Sequence, residues 1–240
     1  MRKSSSLVIL GILMMIIGVS NYSFGDKRSY VWTYEYLVMP RGEFEFEYYL
    51  TLALPDKDKS DINIWKYYLE FEHGIADNMD IALYQVFKQT NGQNGSHYQY
   101  SGFKVRLRYR IGEKGKFFID PLLYFEYIQE SNFSKPGKFE GKVILAKDIG
   151  RFNFAYNHTI EREFGSSGET EYEYALGLSY EISPLLRLGL ESKGNYSEGK
   201  YAWGPTISHG GRLWVSFGLL FALNGRTDDI QARVIVGVPL

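Results

Sequence analysis

Phe103-Lys104-Val105-Arg106-Leu107-Arg108-Tyr109-Arg110-Ile111 alternates an apolar residue with a cation without a break. Successive side chains of an extended strand point to opposite faces. This stretch therefore offers one apolar face and one face carrying Lys104, Arg106, Arg108 and Arg110. The same period of two runs outward in both directions. Toward the N-terminus, Phe44, Phe46, Tyr48, Leu50, Leu52 and Leu54 oppose Glu43, Glu45, Glu47 and Thr51, and Trp65, Tyr67, Leu69 and Phe71 oppose Lys66, Tyr68, Glu70 and Glu72. Toward the C-terminus, Phe125 and Tyr127 oppose Tyr124 and Glu126, Phe139 and Val143 oppose Glu140 and Lys142, and Phe152, Phe154 and Tyr156 oppose Asn153, Asn157 and Thr159. Further runs centre on Leu176, Leu188, Trp203, Phe217 and Val236. With Met79 to Lys88, whose facing the pattern leaves open, the sequence predicts twelve strands.

The connections alternate in length. Longer ones fall at 55–61, 88–99, 130–138, 164–170, 194–201 and 224–229, and shorter ones at 74–78, 112–115, 147–151, 183–185 and 209–211. Long loops at one end and tight turns at the other are the asymmetry of an outer-membrane barrel, and an even strand count puts both termini at the short-turn, periplasmic end. Ten residues at roughly 3.3 Å rise and about 40° tilt cover about 25 Å, the apolar band of such a membrane. In hydrocarbon an unpaired backbone N–H or C=O costs several kcal/mol, so the sheet must close. The expected fold is all-β: a closed antiparallel transmembrane β-barrel of about twelve strands in an up-and-down meander. A water-soluble barrel or sandwich, with its apolar set turned inward, is the competing reading. Export, loop asymmetry and 36 Tyr and Phe in 240 residues favour the membrane.

Composition narrows the function. The chain has no Cys and a formal net charge of −1. That excludes a disulfide scaffold, a thiolate metal site and a Cys nucleophile, and gives no electrostatic case for binding nucleic acid. Met1-Arg2-Lys3, the apolar run Leu7–Val19 and Ser23-Phe24-Gly25 form a secretory leader, residues 1–25, with cleavage after Gly25. The run is 13 residues long, short of the roughly 20 a spanning helix needs. Residues 26–41, including Tyr30-Val31-Trp32-Thr33-Tyr34-Glu35-Tyr36, are expected to be a periplasmic extension or a plug in the lumen rather than a thirteenth strand. Residues 42–240 form the barrel. Aromatic clusters at Tyr48/Tyr49, Tyr67/Tyr68, Tyr98/Tyr100, Tyr124/Tyr127, Tyr172/Tyr174 and Tyr201/Trp203 suggest girdles at the two lipid–water interfaces.

Three stretches carry a family resemblance: Met39-Pro40-Arg41-Gly42-Glu43-Phe44-Glu45-Phe46-Glu47, then Glu70-Phe71-Glu72-His73-Gly74-Ile75-Ala76-Asp77-Asn78-Met79, then the Gly-rich amphipathic strands to the C-terminus. Together they resemble a widespread class of bacterial outer-membrane barrels with no assigned substrate, and more distantly barrels assigned to uptake of aromatic compounds. The final run, Arg233 to Leu240, looks like the terminal strand that barrel-assembly machinery reads. The resemblance implies a bacterial outer-membrane location.

The expected lumen-lining residues are Lys104, Arg106, Arg108 and Arg110, Glu43, Glu45, Glu47, Glu70 and Glu72, with Glu126 and Arg233. A basic strand facing an acidic wall would set a transverse field across a narrow pore; alternatively the charges cross-pair and fill the lumen. The histidines, His73, His97, His158 and His209, share no strand face with a nearby Ser and form no cluster. An outer-membrane acyl hydrolase is therefore disfavoured, and no catalytic, cofactor or metal site is expected. The leading reading is a monomeric, porin-like channel for passive passage of small polar or charged solutes. Its partners are outer-membrane lipids, the assembly machinery and the solutes. The alternative is a structural or surface-interaction barrel with an occluded lumen.

Overall fold

The computed structural model describes residues 27–93, 95–165 and 168–240; the leader read at residues 1–25 lies outside them. Twelve strands form in chain order: β1 (Phe44–Leu54), β2 (Asn63–Ala76), β3 (Met79–Gly92), β4 (Gly95–Arg110), β5 (Asp120–Glu130), β6 (Lys138–Ile149), β7 (Phe152–Glu163), β8 (Thr170–Ser183), β9 (Leu186–Asn195), β10 (Lys200–His209), β11 (Trp214–Ala222) and β12 (Ile230–Pro239). Each pairs antiparallel with its sequence neighbour, and β12 returns to β1 from Glu45↔Pro239 to Leu54↔Ile230. The closure is sealed at its end by the Leu240 N–H, which donates to the Phe44 carbonyl at 2.9 Å. No edge is left to hydrocarbon, as the cost of unpaired backbone requires.

Alternation sorts the faces. Glu45, Glu47 and Tyr49 on β1 are buried inside, while Phe71 on β2, Leu190 on β9 and Phe217 on β11 stand 51%, 47% and 41% exposed on the outside. An apolar band of this kind around a whole barrel has no cover in water and is covered by lipid. On β3 the open facing is resolved: Asp80, Ala82 and Tyr84 point inward, Ile81 and Leu83 outward. Three tyrosines assigned to the girdles, Tyr49, Tyr68 and Tyr124, instead point into the lumen, because each directly follows a lipid-side residue, Tyr48, Tyr67 and Leu123, and alternation turns the next side chain inward. Outward clusters do form near the loop end, as in Tyr174 with Tyr196 (ring centroids 5.2 Å apart) and Phe87 with Tyr98 (6.0 Å).

Two connections differ from expectation. The long loop expected at 88–99 is a hairpin: β3 and β4 stay paired up to Gly92↔Gly95. The tight turn expected at 112–115 is longer, because β4 ends at Arg110 and β5 starts at Asp120. Residues 27–41 form no strand beyond an isolated bridge of Arg41 to Gly74.

Candidate functional site

The lumen is built from the inward residues of all twelve strands plus the segment that precedes β1. Residues 29–36 fold into a compact turn clipped by Glu35, which accepts from the Ser29 N–H at 2.7 Å and the Ser29 hydroxyl at 2.8 Å. The barrel wall holds this turn from several sides. Glu191 on β9 accepts the backbone N–H groups of Val31, Trp32 and Thr33 at 2.8, 2.9 and 2.9 Å, and the Thr33 hydroxyl at 3.0 Å. Three consecutive amides converging on one carboxylate form an anion-binding concavity. Asn157 on β7 accepts from the Tyr34 N–H at 2.6 Å and donates to its carbonyl at 2.9 Å. The Tyr30 hydroxyl donates to the Asn153 carbonyl at 2.8 Å, and Asp80 on β3 accepts from the Met39 N–H at 2.9 Å. On the opposite wall, Ser216 donates to the Arg28 carbonyl at 2.6 Å and Arg233 to that of Val31 at 3.0 Å.

Small residues on the wall make the room. A Cβ on Gly218 of β11 would come within 2.4 Å of Val31 and 2.7 Å of Trp32, and one on Gly177 of β8 within 2.6 Å of the Tyr30 ring. Of the residues that hold the segment, Arg233 is among those expected to line the lumen, whereas Glu191, Asn153, Asn157, Asp80 and Ser216 were not singled out as site residues. The available signal was glycine at inward positions of an otherwise polar lumen face.

The expected lumen residues separate into three groups. Arg106 and Arg108 lie in a buried network. Arg106 pairs with Glu70 at 2.7 Å and Glu72 at 2.6 Å and donates to the Tyr84 hydroxyl at 2.6 Å; Arg108 pairs with Asp80 at 2.7 Å and with Glu72. Glu45 and Glu47 sit directly opposite Glu72 and Glu70 across β1 and β2. Such like-charge pairs are destabilising alone. Here Arg106 and Arg108 offset them, Trp214 donates to Glu45 at 2.8 Å, and the Tyr49 hydroxyl bridges Glu47 and Glu70 at 2.5 and 2.6 Å. The basic strand therefore does not face the acidic wall across a gap: the two touch, and the transverse field is replaced by local neutralisation. Lys104, Glu126 and Arg233 form the second group, lining an open cavity. Arg110 and Glu43 form the third, at the short-turn rim. Arg110 donates to the Asp77 carbonyl at 2.9 Å and covers the Tyr36 ring, while Glu43 is exposed just before β1.

That cavity, about 490 Å³, opens at the loop end beside Glu198, Arg226 and Asp228 and has Trp32 and Tyr34 of the N-terminal segment in its floor. The histidines lie apart: His73 stacks on Phe44 with ring centroids 3.9 Å apart, and His97 meets Gln99. Among the described residues no serine hydroxyl hydrogen-bonds a histidine ring.

A closed, twelve-stranded barrel with an apolar outer band and a polar lumen has the fold of outer-membrane porins and channels. No protein-family model and no curated protein sequence matches the chain. Among solved structures it is similar to the COG4313 outer membrane channel from Pseudomonas putida F1, with TM-score 0.65, 11% identity, and 92% of this chain and 100% of that one covered. It is also similar to the NanC porin (TM-score 0.53, 9% identity, 81% and 97% covered) and to the KdgM porin in complex with disordered oligogalacturonate (0.52, 12%, 82% and 97%). At these identities the likeness is one of fold.

Proposed function

We propose that the protein is a porin-like channel of the bacterial outer membrane for small polar or charged solutes, closed in the present conformation by residues 27–41 acting as a plug. The observation that carries this reading is the floor of the cavity. Trp32 and Tyr34 stand in that floor, and both belong to the segment that precedes β1. Twelve strands at about 4.8 Å spacing and 40° tilt give a backbone diameter of about 24 Å, and wall side chains leave about 5–10 Å along the axis. The segment fills that width. The protein works as a monomer, reaches the membrane by a leader cleaved after Gly25, is inserted by the barrel-assembly machinery, and is not an enzyme.

The test is conductance in planar bilayers. The mature barrel should conduct rarely or in brief events, and a variant lacking residues 27–40 should conduct steadily. The buried Arg106–Glu72–Arg108–Asp80 network favours the second reading, a barrel closed by its own wall. Silence from both proteins, each shown folded by heat-modifiable gel migration, would establish that reading instead.

A further inference from the structure

The cavity above the N-terminal segment has cations to spare. Seven Lys and Arg line it against five Asp and Glu: Glu126 meets Lys104 at 2.7 Å, Glu140 meets Lys142 at 2.9 Å and Glu198 meets Lys200 at 2.7 Å, while Glu173 and Asp228 meet only the amides of Asn195 and Gln231, each at 3.0 Å. Lys66, Lys193, Arg226 and Arg233 line the same cavity and, among the described residues, make no ion pair. Two of them converge on one indole. The Lys193 ammonium is 5.6 Å from the Trp32 ring centroid and the Arg233 guanidinium 5.3 Å, so the two charges lie within about 11 Å of each other. Lys66 stands on the same wall as Arg233, since Thr51 of β1 pairs with Lys66 on one side and Arg233 on the other.

Like charges gathered away from bulk water repel unless a counter-charge joins them. A second feature points the same way. The Trp32 Nε1–H is buried without an acceptor. The Cε3–Cζ3 edge of that ring lies against Gly218, so the Nε1 edge is turned away from the β11 wall. The cavity also presents the hydroxyls of Tyr68 and Thr159, neither engaged in a hydrogen bond among the described residues. Guanidinium and ammonium groups bind a carboxylate with charge-assisted hydrogen bonds, free hydroxyls suit a hydroxylated body, and the flat faces of Trp32 and Tyr68 suit the C–H face of a sugar ring.

We infer that Lys66, Lys193 and Arg233, over Trp32, form a binding site for a sugar acid, a hydroxylated ring bearing a carboxylate. The site is the loop-end entrance to the lumen, and the inference rests on the channel reading only for the claim that the bound acid goes on to be transported.

Equilibrium binding tests the site without any need for conduction. Calorimetry on the folded, detergent-solubilised protein at low salt would compare D-glucuronate, D-glucose and acetate as probes. Glucuronate should bind saturably and at least about tenfold more tightly than either other probe, the usual size of one lost charged contact. Lys66→Gln and Lys193→Gln are the informative variants, because neither side chain hydrogen-bonds the N-terminal segment, whose amides are held by Glu191 and Asn157. Each should weaken glucuronate binding about fivefold or more, and leave heat-modifiable migration unchanged. Equal binding of glucose and glucuronate, or wild-type affinity in both lysine variants, would overturn the site. Acetate binding as tightly as glucuronate would overturn the sugar-acid assignment. Binding without conductance in the plug-deleted barrel would sink the channel reading and leave the site standing; conductance without binding would do the reverse.

Discussion

Leu178 and Ala175 lie three residues apart on β8 and face different solvents: Leu178 looks into lipid, Ala175 into the cavity opposite Lys193. Leu178 falls near the middle of the apolar band, where an outward arginine costs about 2–4 kcal/mol. Leu178→Arg should lower unfolding stability in lipid vesicles by that amount, whereas Ala175→Glu, which gains a cation as neighbour, should change it far less. Equal losses would contradict the assigned faces. Ser179 would be a poor inward control: it is 1% exposed beside the Tyr30 ring, and a longer side chain would displace the segment. Arg106 presents the opposite case. It is 1% exposed among Glu70, Glu72 and Asp80, and removing one member of a buried charge network costs about 3–5 kcal/mol because its partners keep their charge. Arg106→Gln should destabilise the barrel by that order, and the double variant Arg106→Gln/Glu70→Gln by less than the sum of the singles. Alternation made the facing of both residues legible. It could not make their partners legible, because which charges meet depends on cross-strand register. Asp80 escaped notice for a related reason: Ile81-Ala82-Leu83-Tyr84 is apolar on both faces and hides the period.

Among the elements, the N-terminal segment depends most on a single carboxylate. Glu191 takes three backbone amides and a hydroxyl, and a carboxylate so held contributes more than a neutral acceptor would. Hydrogen exchange at Val31, Trp32 and Thr33 should be slow in the wild type and at least tenfold faster in Glu191→Ala, a change of about 1.4 kcal/mol or more in local opening. Gly218→Leu should produce the same exposure from the other side, since its side chain would occupy the space of Val31 and Trp32. Unchanged exchange in both variants would show that the segment is held by its packing rather than by these contacts. The segment's position was hard to read from Tyr30 to Tyr36, because alternating aromatics fit a strand as well as a folded insert. The β3–β4 hairpin was hard to read for a different reason. From Gln89 to Tyr100 both faces are polar or wet, so nothing enforces the alternation that marks the lipid-embedded strands. Asn91-Gly92 and Gly95 look like loop residues although they close a paired turn.

At the scale of the whole molecule, the net charge of −1 conceals a division along the barrel axis. Toward the short-turn end, Arg106 and Arg108 are matched by Glu70, Glu72 and Asp80, with Glu45 and Glu47 beside them. Toward the loops, the cavity lining carries seven Lys and Arg against five Asp and Glu, and Lys66, Lys193 and Arg233 make no ion pair among the described residues. In a narrow, low-dielectric passage such an excess is focused along the axis and raises the local concentration of the opposite ion. A barrel lacking residues 27–40 should therefore prefer anions. In a tenfold salt gradient its reversal potential should take the anion sign when the mean concentration is near 0.1 M and approach the neutral value near 1 M, because the Debye length shrinks from ~10 Å to ~3 Å. Lys66→Gln and Lys193→Gln together should reduce the preference, since they remove charge from the entrance without touching the buried network. Cation preference in the deleted barrel would mean that the acidic β1–β2 wall, and not the loop-end cluster, governs the conduction path. In that case Glu45 and Glu47 would be the residues to neutralise next, and the arginine network would have to open with the segment to uncover them.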